Sequence, residues 1–335
     1  VYQPMSTGVT YQLIPKVTAD GIALHTLGYG RTSAANGRVF SNVFNYPANY
    51  WTAASVAVNY LLGENGGSLE GKKVTLVYHN SAYGKEPIRT LELLSKKHGF
   101  EFSAIPVDHP GQEQKSQWLQ IRRERPDFIL MWGWGVMNSV AIQEASNIRF
   151  PMENFIGVWW SGSENDVVPA GMAANGYKSL AMHAPGSDYG IYDQLKQHIY
   201  DKGKSAGAGD QIGSVLYNRA LYIAFLTHMA IEKAQEITGV ADISQADMIK
   251  GMEALNITDE LMAEHGLAGF APSFSVSCEN HGGDGLGAVQ QWDATAKTWT
   301  LISDFIEADM ELIAPLITED SEAFAKENNL SMRCG

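Results

Sequence analysis

The chain has 335 residues and a mass of 36.6 kDa, long enough for two lobes. Hydrophobic residues make up 45% and charged residues 18%, a globular balance that excludes a disordered chain. A formal net charge of −13 argues against nucleic acid or an anionic membrane as partner. No apolar run approaches the roughly 20 residues of a membrane span.

Residues 1–5 read as the tail of a strand, followed by Ser6, Thr7 and Gly8 and a helical segment through Val17. Hydroxyls there cap the helix, and free amides at a helix start can hold a carboxylate, although capping alone is the commoner use. A second strand is expected at residues 21–27, ending in the loop Gly28, Tyr29, Gly30, Arg31. Two glycines let backbone approach a ligand closely, with Tyr29 and Arg31 projecting; a plain surface turn is the alternative. Residues 39–46 read as extended and 50–62 as a helix.

From Lys72 the alternation is regular. Strands are expected at 74–78, 101–107, 127–131, 155–158 and 177–182, with helices at 85–98, 114–124 and 136–147 between them. Repeated units of this length imply a parallel sheet with helices on both faces. Tyr83 lies in the turn after the first of these strands, and His183 in a corresponding turn. Beyond residue 187 helices are expected at 188–200, 214–236 and 245–255, with a glycine-rich link at 203–213. Tyr217, Leu221, Ile223, Ala224 and Thr227 form the expected inward face of the second of these helices. Strand-like runs follow at 272–277, 288–292 and 299–303, and a last helix at 319–327.

Two turns stand out. Trp132 and Trp134 follow the strand at 127–131, and Trp159 and Trp160 follow the strand at 155–158. Four of the eight tryptophans thus sit at strand ends, where open α/β sheets bind ligands. They read as pocket lining, with at least one of each pair packing under neighbouring helices instead. Ser161 and Glu164 lie in the same stretch, and Glu164 reads as an acceptor for a ligand cation or as a helix-start residue.

Catalytic and metal patterns are missing. The nine histidines show no HExxH spacing, and the chain holds no P-loop and no G-x-S-x-G. Gly28 and Gly30 lack the third glycine of a dinucleotide fingerprint, and two cysteines are too few for a structural zinc site. No cofactor and no metal are therefore expected. Glu164 and Asp166 could act as acid and base, His183 and Asp188 lack a nucleophile on a strained turn beside them, and the enzyme alternative rests on Glu164 with His183.

Together these stretches resemble the solute-binding proteins of branched-chain-amino-acid-type ABC transporters, with the type I periplasmic-binding-protein fold. The matching motifs are Ser6-Thr-Gly8, Gly28-Tyr-Gly-Arg31, Tyr83-Gly-Lys-Glu86, Gln117-Trp-Leu-Gln-Ile-Arg-Arg123, residues 131–138, residues 157–164, Cys278-Glu-Asn-His281 and Gln290-Gln-Trp-Asp293. The resemblance implies an α/β protein of two lobes with parallel sheets flanked by helices, joined by a three-stranded hinge. One lobe takes residues 1–47 and 187–284, the other 48–186 and 285–303, with a C-terminal tail at 304–335. The family pattern places βα units ahead of the Ser-Thr-Gly turn, so the first lobe is expected to lack about two units, and with them a leader.

The implied function is capture of a small amino-acid-like, aromatic or aliphatic carboxylate between the lobes and its delivery to a membrane ABC permease, without catalysis. A regulatory ligand sensor of the same fold is the near alternative, and the α/β enzyme the distant one. The implied ligand contacts are Ser6, Thr7, Gly28, Tyr29, Gly30 and Arg31 on one side. Tyr83, Trp132, Trp134, Trp159, Trp160, Ser161, Glu164 and His183 are implied on the other. A monomer in the periplasm of a Gram-negative bacterium is expected, and with that compartment a disulfide between Cys278 and Cys334.

Overall fold

The computed structural model describes residues 1, 3–207 and 209–334. The strand tail expected at 1–5 and the link expected at 203–213 each include one residue outside that set, Tyr2 and Ala208. Helix α1 (Thr7–Asp20) is followed by the short strand β1 (Leu24–His25), parallel to β2 (Val43–Phe44). Backbone bonds also tie Val1 and Gln3 to His25. Helix α2 (Tyr50–Glu64) starts at a capping box, in which Asn49 accepts from the Trp51 and Thr52 amides and Thr52 bonds back.

The alternating region gives strands β3 (Lys73–His79), β4 (Glu101–Val107), β5 (Phe128–Trp132), β6 (Phe155–Gly157) and β7 (Lys178–Ala181). Its helices are α3 (Ala82–Lys85), α4 (Ile88–His98), α5 (Lys115–Glu124), α6 (Val136–Asn147) and α7 (Glu164–Val167). The single helix expected at 85–98 is split at Pro87, whose missing N–H ends the first turn. Next come α8 (Gly190–Leu195), α9 (Val215–Thr238), α10 (Gln245–Glu253), β8 (Asn256–Ile257), α11 (Asp259–Glu264) and β9 (Phe274–Ser275). Strands β10 (Ala288–Asp293) and β11 (Thr298–Leu301) precede α12 (Met310–Glu327), which runs through Pro315 at the loss of one backbone bond.

Seven strands form one sheet in the order β11-β10-β7-β6-β5-β3-β4. Five are parallel, and β10 runs antiparallel to both of its neighbours. Period-two alternation places helices on both faces. Val74, Leu76, Leu130 and Trp132 join the core under α2 and α4, whereas Val77, Ile129 and Met131 join the core with Trp118 of α5 and Met137 of α6. This is the mixed α/β, mostly parallel architecture that the sequence implies. The remaining pairs, β1-β2 and β8-β9, are two-stranded.

Three expectations need correction. Near residues 47, 186 and 284, the expected lobe boundaries, the chain is irregular rather than strand. Pro47 offers no N–H, and Gly186, Gly283 and Gly285 have φ of 87°, 70° and 71°, outside extended geometry. The first strand, expected over 21–27, narrows to two residues. Of the expected inward face of α9, Ile223 is buried with Arg219, Tyr222, Phe225, Leu226, Met229 and Ala230, Tyr217, Leu221 and Thr227 are half-buried, and Ala224 is exposed.

Candidate functional site

A cavity of about 220 Å³ opens where the carboxyl ends of β3, β5 and β6 face the start of α1. That edge of a parallel sheet gathers loop backbone and side chains around a ligand. One wall is Met5, Ser6, Thr7 and Gly8 with Tyr29 and Tyr50. Ser6 is the N-cap, and its Oγ accepts from the Val9 amide at 3.2 Å. The first intrahelical bond is from Thr10 to Ser6, so the Thr7 and Gly8 amides precede the ladder and stay available at the positive end of the helix.

The facing wall is His79, Ser81, Ala82 and Tyr83 with Trp134 and Trp160. Tyr83 donates to the Gly133 carbonyl at 2.9 Å, and Ser161 donates to the same carbonyl while accepting from the Gly133 amide. These bonds fix the turn that carries Trp134, which is 44% exposed. Trp134 packs edge-on against Trp160 at 5.8 Å, and Tyr29 meets Trp160 from the other wall at 5.5 Å. The Trp160 indole N–H is buried and has no partner among the described residues.

Ser6, Thr7, Tyr29, Tyr83, Trp134 and Trp160 therefore meet at one cavity. The other expected site residues do not line it. Trp132 is fully buried because its register on β5 points it under α2. Trp159 is buried too, donating to the Gly28 carbonyl at 2.9 Å and stacked on Tyr50. Gly28 and Gly30 have φ of 75° and 92°, and a Cβ would meet Met182 at 2.5 Å and Thr10 at 2.9 Å. Their glycines serve close packing of protein on protein rather than approach to a ligand. Arg31 turns away to Asp320, bonded through both carboxylate oxygens at 2.6 and 2.8 Å, and stacks on Phe324. Ser161 is spent on Gly133. Glu164 accepts from the Val215 amide at 3.1 Å, capping α9. His183 is buried, stacked on Phe270 and bonded through Nδ1 to the Ala184 carbonyl. Glu164 and His183 are thus separately committed, which removes the basis for an enzyme built on that pair.

The electrostatics come from groups behind the walls. None of the twelve lining residues is Asp, Glu, Lys or Arg. Burial lowers the His79 pKa, with His109 adding to the effect, so the imidazole is neutral near pH 7. Burial raises the phenols of Tyr50 and Tyr83 well above the usual range, which keeps both as neutral hydroxyls. Behind Trp160 lies Arg219 of α9, 3% exposed, its guanidinium 4.4 Å from the ring centre. Its Nη2 donates to the Trp159 carbonyl at 2.8 Å, while Nε and Nη1 have no partner among the described residues. Burial brings its pKa down to about 10, against the pull of Asp166, so it is charged at neutral pH. Asp166 is itself held by Asn138 and Ser163.

Sequence reasoning missed Met5, Tyr50, His79, Ser81 and Arg219. Ser81 and His79 sit in the turn that yielded Tyr83, and Tyr50 opens a helix behind a proline. Arg219 carried the clearest signal, the single charged residue between Val215 and Ile231 of a largely apolar stretch. A larger hollow of about 880 Å³ opens at the opposite sheet edge among Lys72, Arg122, Arg125, Asp127 and Arg149. It lies at the amino ends of β3 and β5, away from the loops that bind ligands in such sheets. Among the described residues no group of three His, Cys, Asp or Glu is placed to hold a metal ion.

A family model described as Periplasmic binding protein matches residues 1–297. A crystal structure described as an ABC transporter permease from the Pseudomonas fluorescens group is 42% identical, with a TM-score of 0.94. It covers 100% of this chain and 81% of that one. A branched-chain amino acid ABC transporter from Thermus thermophilus with bound valine has a TM-score of 0.73 at 16% identity, covering 94% and 78%. A solute-binding protein of an ABC transporter from R. palustris, in complex with benzoate, has a TM-score of 0.66 at 15% identity, covering 90% and 77%. Among curated proteins nothing matches.

Proposed function

Since the chain belongs to the periplasmic binding protein family, we propose that it is the solute-binding component of an ABC transporter. It captures a small amino-acid-like, aromatic or aliphatic carboxylate between two lobes and delivers it to a membrane permease. The single observation that carries this reading is the aromatic-walled cavity between the start of α1 and the ends of β3, β5 and β6. The lobes are residues 1–47 with 187–284 and 48–186 with 285–303, and the tail is 304–335. In support, every strand of the seven-stranded sheet comes from the second set. The location is the periplasm, and the Cys278–Cys334 disulfide suits an oxidising compartment.

Delivery requires a hinge motion that opens and closes the cavity. Contacts that cross between the two sets are those such a motion would break: Trp159 to Gly28, Arg219 to the Trp159 carbonyl, and Tyr11 to Glu86. Mass spectrometry of whatever small molecule co-purifies, followed by calorimetry with that molecule, tests the reading. One solute bound per chain and recovered unchanged is the expected result. Chemical conversion of the solute, or no bound or bindable solute at all, would count against it.

A further inference from the structure

The cavity offers a cation no carboxylate, only aromatic faces. None of its lining residues carries a carboxylate, and the three residues outside the described set, Tyr2, Ala208 and Gly335, have no acidic side chain. The nearby carboxylates are engaged elsewhere. Glu86 holds the Tyr11 hydroxyl and the Thr32 amide, Glu164 the Val215 amide, and Asp166 the side chains of Asn138 and Ser163. The charge stacked on the wall itself is positive, because the Arg219 guanidinium lies on the Trp160 ring with two of its nitrogens unpartnered among the described residues, while Asp166 and Glu164 offset it from within its field. An ammonium placed on the Trp160 face would share that ring with Arg219 and find no carboxylate to pair with, which leaves only the faces of Tyr29, Tyr50, Tyr83 and Trp134 to offset its desolvation.

An anion meets the opposite conditions. The Thr7 and Gly8 amides at the start of α1 are free donors at this cavity, and the Ser81 hydroxyl, paired with His79 Nδ1 at 2.9 Å, lies on the facing wall. The field of Arg219 acts across the indole in the same sense. The rest of the lining is aromatic.

Resting on the solute-binding reading above, we propose that the cleft selects an aromatic monocarboxylate without an α-ammonium group, and discriminates against the α-amino acid of the same skeleton. Arg219 acts here as a positioning residue through Trp160 and does not touch the solute.

Matched pairs test this by calorimetry on the full, ligand-free chain: 3-phenylpropanoate against phenylalanine, and 3-(4-hydroxyphenyl)propanoate against tyrosine. Each desamino acid should bind at least about tenfold more tightly than its partner. The neutral 3-phenylpropanamide should bind about tenfold more weakly than its acid. In Arg219→Gln the acid-to-amino-acid ratio should collapse toward one, while Arg219→Lys, which keeps the charge, preserves it. A merely structural role would weaken both members of a pair and leave their ratio unchanged. An amino acid that binds as well as its desamino partner, an amide equal to its acid, or no binding by any acid overturns the proposal. The amide comparison needs no variant, so it decides even if Arg219→Gln fails to fold. Should a cell extract then yield a bound amine or neutral solute, the selectivity falls but the solute-binding reading stands. An extract that yields no bound solute removes both.

Discussion

Trp132 and Trp134 are two residues apart, yet the structure gives them opposite tasks. The first fills the core under α2 and the second stands 44% exposed at the cavity mouth. Trp134→Ala should weaken solute binding while leaving the fold intact, since a stacking contact adds about 0.5–1.5 kcal/mol beyond area burial, whereas Trp160→Ala should weaken binding and also cost stability, because that indole is buried against Arg219. Trp132→Ala should cost about 3–5 kcal/mol of folding stability, as expected for emptying a buried indole. Calorimetry and denaturant unfolding separate the two, and an unchanged affinity in both cavity variants would move the pocket elsewhere. The concentration of indoles at strand ends was legible in the sequence. Which indole of each pair faces the cavity was not, because that depends on register against neighbouring strands.

The buried histidines set a second expectation at this scale. Burial depresses His183 from 6.5 to about 3, with Arg219 adding to it, and depresses His25 to about 4. Both are neutral in the folded chain and protonate more readily once unfolded. Their contribution to stability is therefore complete above pH 6.5 and is lost as pH falls from there toward 3–4. Glu86, Glu164 and Asp166, raised by burial, act in the opposite sense, favouring the folded state as pH falls. The informative measurement is thus a difference between variants. His183→Gln should lose less unfolding free energy than the parent between pH 7 and pH 5, and equal losses would mean His183 is protonated in the native state.

Among the elements, α1 joins fold and site most directly. Ser6→Ala removes the cap on Val9, which should cost about 1 kcal/mol of stability. It should also weaken solute binding, because the Thr7 and Gly8 amides lose their fixed orientation. Both effects are read by thermal unfolding with and without bound solute, and loss of stability without loss of affinity would detach α1 from the site. The helices and strands from residue 72 to 182 were legible because their hydrophobic period is regular and their lengths ordinary. The helix α12 was seen only from 319 onward, since Pro315 sits within it. Short strands such as β1 and β8 leave too few residues for a period to register. Arg219 stayed hidden for a related reason. An apolar stripe is read by its apolar members, and a buried cation inside it gains meaning only when Trp160 is found against it.

At the scale of the molecule, α12 binds surfaces from both proposed lobes. Asp320 holds Arg31, and Ser321 accepts from Asn36, all on the first lobe's side. Glu319 and Asp309 pair with Arg89 and Lys97 of the second. Beyond the helix, Arg333 reaches Glu253 and the Gly37 carbonyl, and Cys334 is joined to Cys278. The tail is thereby fixed at its far end to the first lobe, and the disulfide holds it there when the exposed ion pairs, individually weak, let go. The bond closes a sequence separation of 56 residues, for which the chain-entropy account gives about 4 kcal/mol of stabilisation through the unfolded state. Thiol titration of the unfolded, unreduced protein should find no free thiol, and reduction should release two. Denaturant unfolding of the reduced protein should then show a midpoint shifted downward and a somewhat steeper slope, because the unfolded chain freed of its cross-link exposes more surface. Two thiols before reduction would show that the bond does not form in solution. An unchanged midpoint after reduction would show that the ion pairs and Arg333 alone secure the tail.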